Sequence, residues 1–199
     1  MKILLKISTL KAAAICAAKN DVRYYLNGVC IDVKTDSKLV IVGADGHVMF
    51  VGVDDYKGKW NGKPEQIIIP IKTVKHVLKN CNKKLSYIDL ETLLDGEMIL
   101  DTSPFKPIDG KYPDYKKVIP KVESLKAGIG HYNPSLVSIG NKAMIKASGN
   151  EYPTLNQHGK KDAAVITCYL PNYICVVAPY YANPIKDYKY AYKGIELPD

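Results

Sequence analysis

GKYPDYKKVIP, Gly110 to Pro120, separates a stretch that reads as one complete small domain from a stretch that reads as part of another. Proline lacks a backbone donor and fixes φ, so Pro113 and Pro120 exclude the middle of a helix or of a central strand here. The segment is expected to be extended and semi-rigid. Ordinary linkers are flexible and polar, whereas Tyr112, Tyr115, Val118 and Ile119 need a surface to pack on. Residues 113–120 are therefore read as a docked connector that lines a groove.

Before this joint a pattern occurs twice. Ile3, Leu5 and Ile7 alternate with Leu4, Lys6 and Ser8 as a short strand, and Ser8 or Thr9 is expected to cap a helix. That helix is expected over Leu10 to Lys19, with Leu10, Ala14, Ala17 and Ala18 on one face, and Asn20 and Asp21 stopping it. Strands are expected at Tyr24 to Val33, Lys38 to Gly43 and Met49 to Val53. The unit is βαβββ. It recurs as a strand at Gln66 to Pro70, a helix at Lys72 to Asn80, and strands at Leu85 to Leu90 and Met98 to Phe105, with an Asp-Gly turn in LLDGEM. Two such units would make residues 1–112 one complete domain, burying sheet against two helices.

Beyond the joint the pattern occurs once. Ala127 to Tyr132 reads as a strand; Asn133 caps a helix with Pro134 at its first position, running to about Met144 with Leu136 and Ile139 inward. Asn150 to Lys161 reads as a polar surface loop, and Ala163 to Leu170 and Tyr173 to Pro179 as buried strands. Residues 121–180 thus form a partial domain of one unit, and residues 181–199 a tail without periodicity. The fold class is α+β.

With 199 residues and 47% hydrophobic content, the chain can bury a substantial core. Lysine and arginine outnumber aspartate and glutamate by 28 to 20, and Arg23 is the only arginine. Lysine is a point charge that attracts phosphate without the planar fork that reads bases. A nucleic-acid contact would therefore be backbone-directed and salt-sensitive. Five scattered cysteines, Cys16, Cys30, Cys81, Cys168 and Cys175, argue against a disulfide framework or a zinc site. No secretory signature and no apolar run approaching about 20 residues is read, so the cytoplasm is the expected compartment. His47, His76, His131 and His158 lack metal-ligand spacing, no nucleophile elbow accompanies Asp45 and His47, and GADG and DGKYPD lack the GK[ST] of a phosphate loop. No enzyme, metal or cofactor is expected.

The runs DVRYYLNGV (Asp21 to Val29), GADGHVMF (Gly43 to Phe50), IIIP (Ile67 to Pro70), DGKYPDYKKVIP (Asp109 to Pro120), IGHYNPSLV (Ile129 to Val137) and CVVAP (Cys175 to Pro179), in this order, resemble the bacterial DNA polymerase III β sliding clamp family, in a shortened, phage- or prophage-like form. The resemblance implies a sliding-clamp fold of paired βαβββ units, one full clamp domain plus about half of a second, with helices lining a DNA-encircling hole. Three units per chain would fill the family ring's twelve positions with four chains.

It also implies a groove for short hydrophobic peptides of polymerase, clamp loader or repair proteins. Carried over by motif, the groove is Leu26, then Ala44, Gly46, His47, Val48 and Met49, then Pro113, Lys117 and Val118, then Val176, Val177, Ala178, Pro179 and Tyr180. The family usually has arginine where Val48 stands, and methionines where Ala178 and Tyr180 stand. Placing the helices on the inner wall of a ring makes Lys11, Lys19, Lys72, Lys75, Lys79, Lys142 and Lys146 the residues facing double-stranded DNA. The implied function is a replication accessory protein that tethers a polymerase or repair partner and encircles DNA as a homo-oligomer. The alternative is a monomeric module or decoy that captures clamp-binding peptides without encircling DNA.

Overall fold

In a computed structural model, residues 2–34, 38–55, 57–59, 65–121, 130–149, 152–157, 159 and 162–180 are described. The first unit is β1 (Lys2–Lys6), α1 (Ile7–Cys16), β2 (Gly28–Val33), β3 (Lys38–Ala44) and β4 (Val48–Asp55). After a short β5 (Lys57–Lys59), the second is β6 (Glu65–Pro70), α2 (Ile71–Asn80), β7 (Tyr87–Thr92), β8 (Met98–Leu100) and β9 (Ser103–Phe105). The third is α3 (Pro134–Ser148), β10 (Thr154–Asn156), β11 (Ala164–Thr167) and β12 (Tyr173–Val177).

The first two units exchange their entering strands. One sheet runs β5-β1-β7-β8-β9 and the other β10-β11-β12-β4-β3-β2-β6. Thus β1 lies antiparallel to β7 of the second unit, and β6 antiparallel to β2 of the first. The third unit joins edge to edge, β12 running antiparallel to β4 with Val177 opposite Val48, Val176 opposite Met49 and Cys175 opposite Phe50. One sheet therefore crosses from the first unit into the third.

The larger sheet is apolar on both faces, because both are covered. On one face lie α1, α2 and α3, enclosing Val29, Ile31, Ile41, Phe50, Cys175 and Val177. On the other face the segment around Tyr112 and Tyr115 covers Cys30, Val40, Val42, Met49, Ile68 and Val176. Helix α1 sits between α2 and α3. Its alanines allow that central position: at Gly43 of β3 an added Cβ would lie 1.9 Å from the carbonyl oxygen of Ala13, so strand and helix backbones are in direct contact. In α2 the buried residues are Ile71, Val74 and Val77, with Lys72, Lys75 and Lys79 outside. Helix α3 starts as its sequence predicts, the Asn133 side chain accepting from the Ser135 N–H, and ends at Gly149 with φ 71°.

Several local expectations are corrected. Helix α1 begins at Ile7 and has no side-chain cap, so neither Ser8 nor Thr9 plays that part. Thr9 is instead buried, its hydroxyl 3.4 Å from that of Tyr173. Tyr24–Leu26 is a single 3-10 turn ahead of β2. The expected strand at Met98 to Phe105 turns back on itself at Asp101, where φ is 55°. Within the polar loop, Thr154–Asn156 pairs with β11 as a strand. The strand expected at Ala127 to Tyr132 falls largely outside the described residues, and residues 130–132 are not in a strand. The tail at 181–199 also lies outside them.

Candidate functional site

The face opposite the helices carries a concavity of about 390 Å³ built from four separate stretches of chain. The first stretch is fastened at Asp21. Arg23 donates to its carboxylate through Nε at 3.0 Å and Nη2 at 2.8 Å, and that guanidinium holds the Asp21 carboxyl down at about 2. The 3-10 turn that follows sets Leu26, 3% exposed, into the wall.

The second stretch is the turn between β3 and β4. The Asp45 carboxylate accepts the backbone N–H groups of His47 and Val48, each at 2.8 Å, closing an Asx turn whose Gly46 has φ 92°. Arg23 reaches the same turn, donating to the Asp45 carbonyl oxygen at 3.2 Å. A Cβ on Gly46 would meet that guanidinium at 2.5 Å.

The connector is the third. Tyr112 and Tyr115 are buried, and burial pushes both phenols up, aided at Tyr115 by the neighbouring Asp32 carboxylate. The Tyr115 hydroxyl donates to Asp32 at 2.7 Å, and Lys34 at 2.6 Å and Gln66 at 3.4 Å donate to the same oxygen. A carboxylate 3% exposed is thereby compensated. The fourth stretch is the end of β12, where the Ala178 N–H donates to the His47 carbonyl at 2.7 Å.

Of the residues expected in the groove, Leu26, Ala44, Gly46, His47, Val48, Met49, Pro113, Val118, Val176, Ala178 and Pro179 line this concavity together. Three do not. Val177 is fully buried on the helix side of β12, because adjacent strand residues point to opposite faces. Lys117 turns outward, its ammonium 3.6 Å from Asp114. Tyr180 lies in a different depression beside α3, its N–H donating to the His131 carbonyl. Arg23, Tyr112, Tyr115 and Ala163 line the concavity without having been assigned to it. The two tyrosines were legible as groups needing a place to pack, and Arg23 as the lone arginine beside YYLNG. Ala163 carried no signal.

The helix layer differs in charge from the rest. Its three helices contain six lysines and no aspartate or glutamate. The ion pairs among the described residues lie on strands and connecting segments, and none involves Lys11, Lys19, Lys72, Lys75, Lys79, Lys142 or Lys146. At one end Lys11 and Lys146 border the same depression. At the other, partial burial and the nearby Lys19 charge hold the Lys75 ammonium below its ordinary value. Among the described residues no three His, Cys, Asp or Glu converge as metal ligands, and no helix is long and apolar enough to cross a membrane.

Residues 4–114 match the family model described as DNA polymerase III beta subunit, central domain. The chain belongs to the DNA polymerase III beta subunit family. The beta sliding clamp of Buchnera aphidicola is 36% identical over 107 residues, which cover 51% of this chain and 28% of that protein. That of Vibrio cholerae is 33% identical over 107 residues, 52% of this chain and 28% of that one. The chain thus matches under a third of the length of these relatives. Solved clamp structures extend the likeness in fold: the DNA polymerase III beta subunit of Thermotoga maritima superposes with a TM-score of 0.72 at 16% identity, over 92% of this chain and 66% of that one. The sliding clamp of Pseudomonas aeruginosa gives 0.69 at 16% identity, over 92% and 67%. Clamp-like backbone therefore reaches beyond residue 114 and includes the third unit.

Proposed function

We propose that this chain is a non-catalytic replication clamp that holds a polymerase or repair partner by a short apolar peptide seated between the first and third units. Residues 1–112 act as a complete clamp domain, residues 113–120 as the wall of the peptide site, and residues 121–180 as a partial second domain. The observation that carries this reading is the concavity itself. Residues from four distant stretches enclose about 390 Å³ of mostly apolar space, within the range of about 300–1,000 Å³ usual for ligand sites. Met49 supplies an adaptable apolar surface and Val118, half exposed, an apolar rim.

The helix lysines supply the second half of the role, an electrostatic contact with the backbone of double-stranded DNA. A surface with six lysines and no carboxylate suits a polyanion of any sequence. Because one chain holds three units, enclosing DNA requires a homo-oligomer. The setting is the cytoplasm of a bacterium or of a phage-infected host.

The test is a fluorescence titration of the protein with a labelled peptide carrying adjacent leucine and phenylalanine anchors. Saturable binding is expected, with at least a tenfold loss in Val118→Asp, whose exposed position leaves folding intact. A peptide that does not bind the wild-type chain, or binds Val118→Asp equally well, overturns the reading.

A further inference from the structure

The two complete units show how such a unit is finished. In each, the first strand of the three-stranded meander carries on its outer edge the entering strand of the sister unit: β2 carries β6, and β7 carries β1. The third unit has the same meander, β10-β11-β12, joined to the sheet at β12. Among the described residues β10 ends the sheet, and its outer edge carries nothing. The first two units are each other's sisters, so neither is available to complete the third.

Helix α3 is unfinished on the same side. Pro134, Val137, Ser138, Asn141 and Ile145 follow one another at helical spacing and face an open concavity of about 710 Å³ whose further wall includes Leu155 of β10. Ile145 is 37% exposed. In the middle of the stripe the Asn141 Oδ1 atom is buried without a hydrogen-bond donor. A buried acceptor left without a donor costs about 1–3 kcal/mol, so this stripe is built as a contact surface.

We propose that the occupant is the third unit of a second copy of this chain, packed about a two-fold axis so that two half-domains complete one clamp domain. A partner unit of the same kind presents a helix stripe and a free strand edge of matching length, as the first two units do to each other. The contact is isologous and closes on itself, so it yields a dimer and not a filament. Two chains then hold three complete clamp domains. This deepens the homo-oligomer part of the proposed function and rests on that part alone; the peptide concavity lies on the other side of β12 and is not used.

Sedimentation equilibrium of the full chain across a hundredfold concentration range tests it. A dimer of twice the chain mass is expected. Ile145→Glu and, separately, Ser138→Arg, an exposed stripe position outside the core, are each expected to raise the dissociation constant at least a hundredfold while circular dichroism stays native. A wild-type chain that remains monomeric, or a dimer that both variants leave intact, overturns the proposal. So does a chain truncated after Tyr180 that dimerises while the full chain does not, since the tail would then be the occupant. Peptide titration of the same variants separates the outcomes: unchanged peptide affinity in a monomeric variant upholds the concavity, and its absence in every form counts against the peptide reading only.

Discussion

The Tyr115 hydroxyl and the Asp32 carboxylate, 83 positions apart, meet at 2.7 Å beneath the connector. This bond fixes the wall of the concavity to the middle of the sheet. A hydrogen bond to a charged group contributes about 1.5–3 kcal/mol, and Lys34 and Gln66 remain as donors when it is lost. Tyr115→Phe is expected to lower the unfolding free energy by about 2 kcal/mol in urea denaturation. It is also expected to weaken peptide binding more than its distance from solvent suggests, because the connector loses its anchor.

Acid stability should depend on Asp21. Its folded carboxyl titrates near 2, held there chiefly by the Arg23 side chain, against an unfolded value of about 3.9. A depressed folded value stabilises the protein above the unfolded value, and the contribution disappears as pH falls through about 2. Asp21→Asn is expected to flatten the stability profile between about pH 4 and about pH 2 while leaving its shape above pH 5 unchanged. The pair is exposed, so the difference should shrink in high salt. Equilibrium unfolding of both proteins at a series of pH values measures it.

Gly43 is the position where β3 and α1 come closest. Gly43→Ala places a methyl group inside the Ala13 carbonyl and forces the helix off the sheet. Overpacking of this kind is expected to cost about 3 kcal/mol, read as a loss of several degrees in melting temperature. A variant as stable as wild type would show that the close approach is absent in solution.

DNA binding, if carried by the helix face, should follow counterion release. Each phosphate contact contributes roughly 0.9 to the slope of log K against log salt. Replacing Lys72, Lys75 and Lys79 together by alanine is expected to reduce the slope by about 2–3 and to weaken binding equally for unrelated sequences. Fluorescence anisotropy with two duplexes of different sequence decides this, and a slope unaffected by the substitutions would move the contact elsewhere.

The repeat of βαβββ units was legible because their hydrophobic periods are strong and short-range: Val74 and Val77 against Lys72, Lys75 and Lys79 in α2 show it well. Which side a residue faces was not always legible. The run Cys175 to Val177 is apolar throughout, so period-two alternation leaves no trace in composition, and only the pairing with Val48 and Met49 turns Val176 toward the concavity and Val177 away. The strand β10 hid for a different reason. Thr154–Asn156 is short and polar, and Asn156 gains its place by donating to Val165 and Thr167 across the ladder, contacts that no local pattern encodes. Nor could the Asp21–Arg23 pair be assigned to the Gly46 turn without knowing how the chain folds back there.

A helix layer with lysines but no carboxylates, set across the sheet from a face that carries the connector, makes the molecule a permanent electric dipole. In a polyanion's field such a body experiences a torque before any contact forms, and it arrives helix side first. Its apolar concavity then points outward, into the solvent through which a partner approaches. Orientation on the template is thereby set by long-range rotation during the encounter, and ionic strength should govern how often an encounter is productive as well as how long the complex lasts.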